Sequence, residues 1–240
     1  MIFAAGLGTR LKPLTDSIPK ALVPVGGKPL LQHVIEKLSA SGFDEMVINV
    51  HHFSEQIIQF LQNNNNFGLH IDVSDESDKL LDTGGGIRKA SAFLNGDAPF
   101  LVHNVDILSN ADLRKLHNDH IRQGDMATLL VSQRKTSRYL LFDEQNILKG
   151  WINESTGEVK SPCPGFSPEK HQRFAFAGIQ VISPKIFDLM KNLPDKFSII
   201  DFYLSIVDTV NIRAYPVSDL EMIDVGKIDS LKDAEEFYNI

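Results

Sequence analysis

The sequence predicts an α/β protein, a Rossmann-like three-layer sandwich with a mostly parallel mixed central sheet. Three observations predict it. Short apolar runs and amphipathic segments alternate strictly over the first 110 residues, the signature of βαβ units whose strands lie parallel. After a helix at about residues 110–122 the alternation gives way to strand-like segments in succession, read as antiparallel additions to the same sheet. A glycine-containing turn ends the first strand, and ligands of such sheets bind at the strands' carboxyl ends.

Residues 1–5 read as a buried strand ending at Gly6. Leu30, Leu31, Val34, Ile35 and Leu38 have the spacing of one helix face, stopped near Gly42. Residues 46–50 form the next strand. Ser54 is expected as the N-cap of a helix carrying Ile57, Ile58 and Leu61, and the asparagines 63–66 with Gly68 break the chain before a strand at 69–73. Residues 87–94 make a third helix and 99–103 a fourth strand. The carboxyl ends of these strands are Ala5-Gly6, the segments after Val50 and Val73, and Asn104-Val105-Asp106.

Strands are expected at 127–132, 139–142, 147–152 and 173–182, interrupted by a proline-containing loop at 161–168. Short helices follow at 186–190 and 199–207, a strand at 212–216 and a closing helix at 230–237. No internal repeat or linker is visible, so residues 1–240 read as a single domain.

Hydrophobic residues make up 42% of the 240 and charged residues 23%, which excludes a disordered chain, a coiled coil and a collagen-like repeat. No apolar run approaches the ~20 residues of a membrane helix, and no signal peptide precedes the first strand, so a cytoplasmic protein without membrane contact is expected. Cys163, the single cysteine, lies between Pro162 and Pro164 and reads as a loop residue. The net charge of −7 argues against nucleic acid as a partner. Residues 1–28, however, hold Arg10, Lys12, Lys20 and Lys28 against Asp16 alone. A locally basic, glycine-containing start on an acidic chain suggests a site for a small anion.

That start reads Ala4-Ala5-Gly6-Leu7-Gly8-Thr9-Arg10-Leu11-Lys12-Pro13-Leu14-Thr15, then Pro19-Lys20-Ala21-Leu22-Val23-Pro24-Val25 and Lys28-Pro29. Two glycines in a turn let backbone N–H groups approach phosphate oxygens, and a nearby Arg and Lys neutralise their charge. The pattern is neither a P-loop nor a dinucleotide fingerprint. Asp106, just past a buried strand, carries a desolvation cost unless it is paired or binds a cation, and oxygen ligands of this kind suit Mg²⁺. Three glycines, Gly84-Gly85-Gly86, stand before the expected third helix, where backbone could lie close to a flat ring. The histidines 51, 52, 117 and 120 lack the companion ligands of a metal site.

These motifs resemble the sugar-phosphate nucleotidylyltransferases, whose signature reads G-x-G-[TS]-R-L-x-P-L-T, then P-K-x-L-x-P-[VI], then K-P. Every fixed element is present in order. The resemblance implies the nucleotide-diphospho-sugar transferase fold, with a nucleotide-binding half over 1–110 and a sugar-phosphate-binding half over 111–240. It implies transfer of a nucleotidyl group from a nucleoside triphosphate to a sugar 1-phosphate, with Mg²⁺ as cofactor. Arg10, Lys20 and Asp106 are the implied catalytic residues. Ala5, Gly6, Gly8, Thr9, Arg10, Thr83, Gly84, Gly85 and Asn104 are implied to bind the nucleotide, and Lys20, Gly150, Asn153 and Gly178 the sugar phosphate. Asp106 is implied to share the metal with Asp224 of the late Asp224-Val225-Gly226 segment. At the sugar end this chain departs from the family: Asn153 and Phe176 stand near positions where many relatives place a glutamate and an asparagine. The pattern usually carries a few residues ahead of the first strand, so a slightly earlier start is expected.

The segment Asp82-Thr83-Gly84-Gly85-Gly86-Ile87 resembles small bacterial members that transfer uridylyl to N-acetylmuramic acid 1-phosphate, and some mannose-1-phosphate guanylyltransferases. The first pairing, UTP with N-acetylmuramic acid 1-phosphate, is therefore favoured over GTP with mannose 1-phosphate. A glycosyltransferase would carry Asp-x-Asp where this chain has Asn104-Val105-Asp106, and has no use for Arg10 and Lys20. A non-catalytic regulatory relative would lack one of Arg10, Lys20, Asp106 and Asp224, all of which are present. A homo-oligomer is compatible with the sequence.

Overall fold

The computed structural model describes residues 1–238. The chain runs β1 (Ile2–Phe3), a hairpin of β2 (Pro24–Val25) and β3 (Lys28–Pro29), α1 (Leu30–Ala40), β4 (Glu45–Val50), α2 (Ser54–Asn63), β5 (His70–Asp75), α3 (Asp82–Lys89), α4 (Ser91–Leu94), β6 (Phe100–Asn104) and β7 (Ile107–Ser109). It continues with α5 (Leu113–Gln123), β8 (Ala127–Ser132), β9 (Arg138–Phe142), β10 (Leu148–Asn153), β11 (Glu158–Lys160), β12 (Gln172–Ile182), α6 (Ile186–Leu189), α7 (Ile199–Ile206), β13 (Ile212–Pro216), β14 (Met222–Asp224) and α8 (Asp229–Tyr238).

Ten strands form one sheet, in the order β11-β10-β9-β12-β6-β1-β4-β5, with β8 beside β12 and β13 beside β8. β1 lies parallel to β4 and β6, and β4 parallel to β5. β12 joins the halves, antiparallel to β6 on one edge and to β8 and β9 on the other. Only β12 and β10 run against the other eight, so the sheet is mixed but mostly parallel, as the alternation predicted.

Side chains alternate across the strands into two cores. Met46, Ile48 and Val50 of β4 and Leu101 of β6 pack with Leu31, Val34, Ile35 and Leu38 of α1, Ile57 of α2 and Leu113 of α5. Val47, Phe100 and Val102 face the opposite way, against Ile87 of α3, Ile186 of α6 and Phe202 and Tyr203 of α7. Each large aliphatic side chain buried in this way contributes about 1.5–3 kcal/mol. A helix layer on each face of a continuous sheet holds the strand ends rigidly enough to build a site on them.

Several elements differ from the sequence reading. The third helix begins at Asp82 rather than 87, so the three glycines lie inside it, and it breaks at Ala90 before α4. The glycines serve helix packing: Gly84 meets the Phe197 ring, Gly85 the Asp195 carbonyl and Gly86 the Glu76 carboxylate, each too close for a Cβ. Ser54 is the first residue of α2 and not its cap. Phe53, in the left-handed region at φ 54°, occupies the cap position because the chain reverses sharply on leaving β4. The β7–β14, β2–β3 and β10–β11 pairings went unpredicted, being too short to show a period of their own. The helical pattern at 230–237 is met by α8.

Candidate active site

A cavity of about 410 Å³ opens where β1, β4, β5 and β6 end. Its lining includes Ala4, Ala5 and Gly6 from β1's exit, Asn49 of β4, Glu76 after β5, and Asn104, Val105 and Asp106 from β6's exit. The four strand ends read from the sequence therefore meet at one place, as the parallel topology requires.

The glycine-bearing loop is fixed at both ends. At its base the Asn49 Oδ1 accepts from the Ala4 N–H at 2.8 Å, and the Asn49 Nδ2 donates to the Glu76 Oε1 at 2.7 Å. The second oxygen of Glu76 accepts from the Leu81 N–H at 3.2 Å, so one buried carboxylate ties the loop to the segment leading into α3. Further along, Gly8 adopts φ 64°, and its carbonyl accepts from the Leu11 N–H at 2.9 Å and the Thr15 hydroxyl at 2.8 Å. A Cβ on Gly8 would lie 2.9 Å from the Thr15 methyl, which accounts for glycine and threonine at this spacing. Gly6, by contrast, has no atom within 4 Å of a would-be Cβ, leaving its backbone open to a ligand.

Lys20 follows on a single turn of 3-10 helix and forms an ion pair with Asp106. Both side chains are largely buried, at 10% and 18% exposure, so the pair is less screened than a surface one. Beyond Asp106, β7 and β14 pair with Asp224 opposite Ile107, and the Val225 N–H donates to the Asp106 carbonyl at 2.8 Å. The two aspartates are thus adjacent although 118 positions separate them in the chain. Arg10 reaches the same place: a Cβ on Gly226 would lie 2.7 Å from the Arg10 Nη2 and 2.6 Å from the Asp224 Oδ1. That Asp224 oxygen is buried with no hydrogen-bond partner, and Arg10 is exposed.

Arg10, Lys20, Asp106 and Asp224 therefore converge, with Ala5, Gly6 and Asn104 in the cavity wall. Gly178, at φ 73° in a bulge of β12, packs directly on Asn104. Thr83 lines the cavity and its hydroxyl accepts from the Ile199 N–H at 2.9 Å. Gly84 and Gly85 do not reach the cavity: both N–H groups donate to the Phe197 carbonyl. Gly8, Thr9 and Arg10 stand outside the lining, on the loop above it. Gly150 faces the Phe166 ring and the Lys160 carbonyl, while Asn153 belongs to a second cavity. The sequence reading missed Asn49, Glu76 and Lys196, all in the cavity wall. Only the position of Glu76 just beyond a strand end could have marked it.

Asp106 and Asp224 suit a hard divalent cation: one carboxylate immediately before β7 and one at the end of its partner strand β14, the latter bearing a buried oxygen without a donor. Among the described residues no cluster of three or more His, Cys, Asp or Glu side chains could hold a metal.

The family model described as nucleotidyl transferase matches residues 1–239. The chain belongs to this family. An N-acetylmuramate alpha-1-phosphate uridylyltransferase of Caulobacter vibrioides is 45% identical over 108 residues, covering 44% of each chain. A UTP–glucose-1-phosphate uridylyltransferase of Synechocystis is 28% identical over 95% of this chain and 60% of its own length. A mannose-1-phosphate guanyltransferase of Gibberella zeae is 36% identical over 58% of this chain and 39% of its own. The family member thus spans about half the length of the curated relatives it matches. Among solved structures, HddC from Yersinia pseudotuberculosis superposes with a TM-score of 0.77 at 23% identity, over 99% of this chain and 97% of that one. UDP-glucose pyrophosphorylase from Acinetobacter baumannii does so at 0.78 and 19%, over 99% and 91%. At such identity these neighbours establish the fold.

Proposed function

We propose that this protein transfers a nucleotidyl group from a nucleoside triphosphate to a sugar 1-phosphate. The observation that carries this is the convergence of Arg10, Lys20, Asp106 and Asp224 beside a cavity at the strand ends. An oxygen of the sugar phosphate attacks the α-phosphorus, a P–O bond forms, the bond to the β-phosphate breaks and pyrophosphate departs. The attacking oxygen is already anionic, so no protein nucleophile is needed; the work is alignment and charge stabilisation. Residues 1–110 hold the nucleotide, with Gly6 presenting open backbone and Thr83 at the cavity's far wall. Arg10 holds the departing pyrophosphate. Lys20 turns from Asp106 to the phosphate being transferred. Mg²⁺, held by Asp106 and Asp224, would neutralise phosphate charge.

UTP with N-acetylmuramic acid 1-phosphate is the favoured pair, supported by the Thr83–Ile87 wording and by a uridylyltransferase relative of that name. GTP with mannose 1-phosphate is the second reading, supported by the guanyltransferase relatives. Pyrophosphate release with Mg²⁺, measured over five nucleoside triphosphates against N-acetylmuramic acid, N-acetylglucosamine, glucose and mannose 1-phosphates, tests both. One productive pair names base and sugar together. Release from none, with nucleotide still bound, overturns the transferase reading.

A further inference from the structure

A second cavity of about 490 Å³ is lined in part by the segment that also contributes to the first. Lys196 lines the first cavity and Ser198 and Asp201 the second, and the intervening Ile199 is tied to Thr83. One face of the three-stranded β9-β10-β11 ribbon forms the cavity's side. Leu140 pairs with Trp151 and Arg138 with Asn153 across β9 and β10, and Trp151 pairs with Lys160 across β10 and β11. Because side chains alternate along a strand, these residues stand on one face.

The charges on that face are unequal in their partners. The Lys160 ammonium is bound to the Asp201 carboxylate at 3.0 Å and lies 5.1 Å from the centre of the Trp151 ring. Arg134 and Arg138 line the same cavity, yet among the described residues neither guanidinium is paired with a carboxylate. Arg134 makes one long hydrogen bond, to the Phe176 carbonyl at 3.4 Å. The cavity's own two carboxylates, Glu158 and Asp201, both pair with Lys160, at 3.8 and 3.0 Å, which leaves the two arginines beside an apolar floor without an acidic partner and suited to an anion from outside.

We propose that this cavity takes the sugar and that Arg134 and Arg138 bind a carboxylate carried on it, so that the acceptor is an acidic sugar 1-phosphate. Trp151 gives the pyranose ring an apolar floor, Asn153 a hydrogen-bonding partner for an acyl or hydroxyl group, and the arginines a bidentate seat for the carboxylate. The proposal rests on the transferase reading for the phosphate end of the substrate and adds the group that selects the sugar. N-acetylmuramic acid carries such a carboxylate; N-acetylglucosamine, its counterpart without the lactyl group, does not.

Trp151 is the single tryptophan of the chain, so its emission reports on this cavity without any turnover. The experiment titrates the full chain, with Mg²⁺, against N-acetylmuramic acid 1-phosphate and N-acetylglucosamine 1-phosphate, and repeats both with Arg138→Met and Arg134→Met. The expected result is a saturable change in emission with a Kd about 10 to 100 times lower for the acidic sugar, the range for a charge-assisted hydrogen bond. In either variant that preference falls several-fold, and Arg138→Lys restores part of it. Equal Kd values for the two sugars in the wild-type protein, tighter binding of N-acetylglucosamine 1-phosphate, or a preference unmoved in both variants overturns the proposal. Selective binding of the acidic sugar without pyrophosphate release from any triphosphate would overturn the transferase reading and leave the carboxylate seat standing.

Discussion

Lys20 and Asp106, separated by 86 positions, close into an ion pair beside the cavity. The pair holds the N-terminal loop against the exit of β6 and keeps a cation where a phosphate would arrive. Lys20→Ala is expected to lower turnover by about 10² or more, the scale for losing one preorganised charge-stabilising group. Asp106→Asn is expected to do the same while also weakening Mg²⁺ binding. Pyrophosphate release and calorimetric Mg²⁺ titration measure the two effects separately, and near-normal rates in a folded Asp106 variant would sink its metal role.

Asp224 makes a distinguishable prediction, because its buried oxygen has no donor to lose. Asp224→Asn is expected to keep the melting temperature within a few degrees while reducing Mg²⁺ affinity tenfold or more. Thermal unfolding with and without Mg²⁺ reads both. A wild-type Mg²⁺ dependence of stability that survives the substitution contradicts the assignment.

The Asn49–Glu76 link predicts a nucleotide effect from residues that need not touch the nucleotide. Asn49→Ala strips the Ala4 N–H and the Glu76 Oε1 of their partner, a loss of about 1–3 kcal/mol for buried polar groups. The glycine loop then loses its anchor, so KM for the triphosphate should rise about tenfold and more steeply than KM for the sugar phosphate. Steady-state kinetics with each substrate varied in turn distinguishes this from general damage, which would move kcat alone.

The glycines divide into two classes that substitution separates. Gly85→Ala places a Cβ 2.2 Å from the Asp195 carbonyl oxygen, a backbone atom that cannot swing away, and should cost at least about 2 kcal/mol, within the range for overpacking. Gly6→Ala meets nothing within 4 Å and should fold normally, with its loss confined to nucleotide affinity. Urea unfolding and nucleotide titration of the two proteins should give opposite patterns.

Two fully buried histidines give the fold an acid limit. Burial lowers His103 and His120 to a pKa of about 4, against an ordinary value near 6.5. Below 6.5 the unfolded chain takes up protons that the fold refuses, so stability is full above that pH and falls as pH drops towards 4. Each histidine contributes on the order of 2–3 kcal/mol to this loss. Urea midpoints measured from pH 7.5 to 4.5 should decline accordingly, and His120→Gln should flatten part of the slope.

The sequence was legible wherever the signal is local. Alternation of strand and helix, the Gly6–Thr15 loop and Asp106 at a strand end each declare themselves within a dozen residues, and the antiparallel additions followed from strands without intervening helices. Asp224 is legible only through the family's order of motifs, since nothing local marks it. Glu76 and Asn49 escaped because their meaning lies in a pairing between β4 and the segment after β5. The three glycines misled for the same reason: Gly-Gly-Gly looks like a loop until Phe197 and Asp195, more than 100 positions later, require a helix surface without side chains.

The strand pair β7–β14 has a consequence for the chain as it is made. Asp224 reaches Asp106 only after nearly the whole chain has emerged from the ribosome, because β14 is the last strand to join. A chain that stops before β14 still carries Gly6, Lys20 and Asp106 but lacks Asp224 and the Gly226 segment that packs against Arg10. The first motif and the last strand, far apart in synthesis, are thus neighbours in the fold.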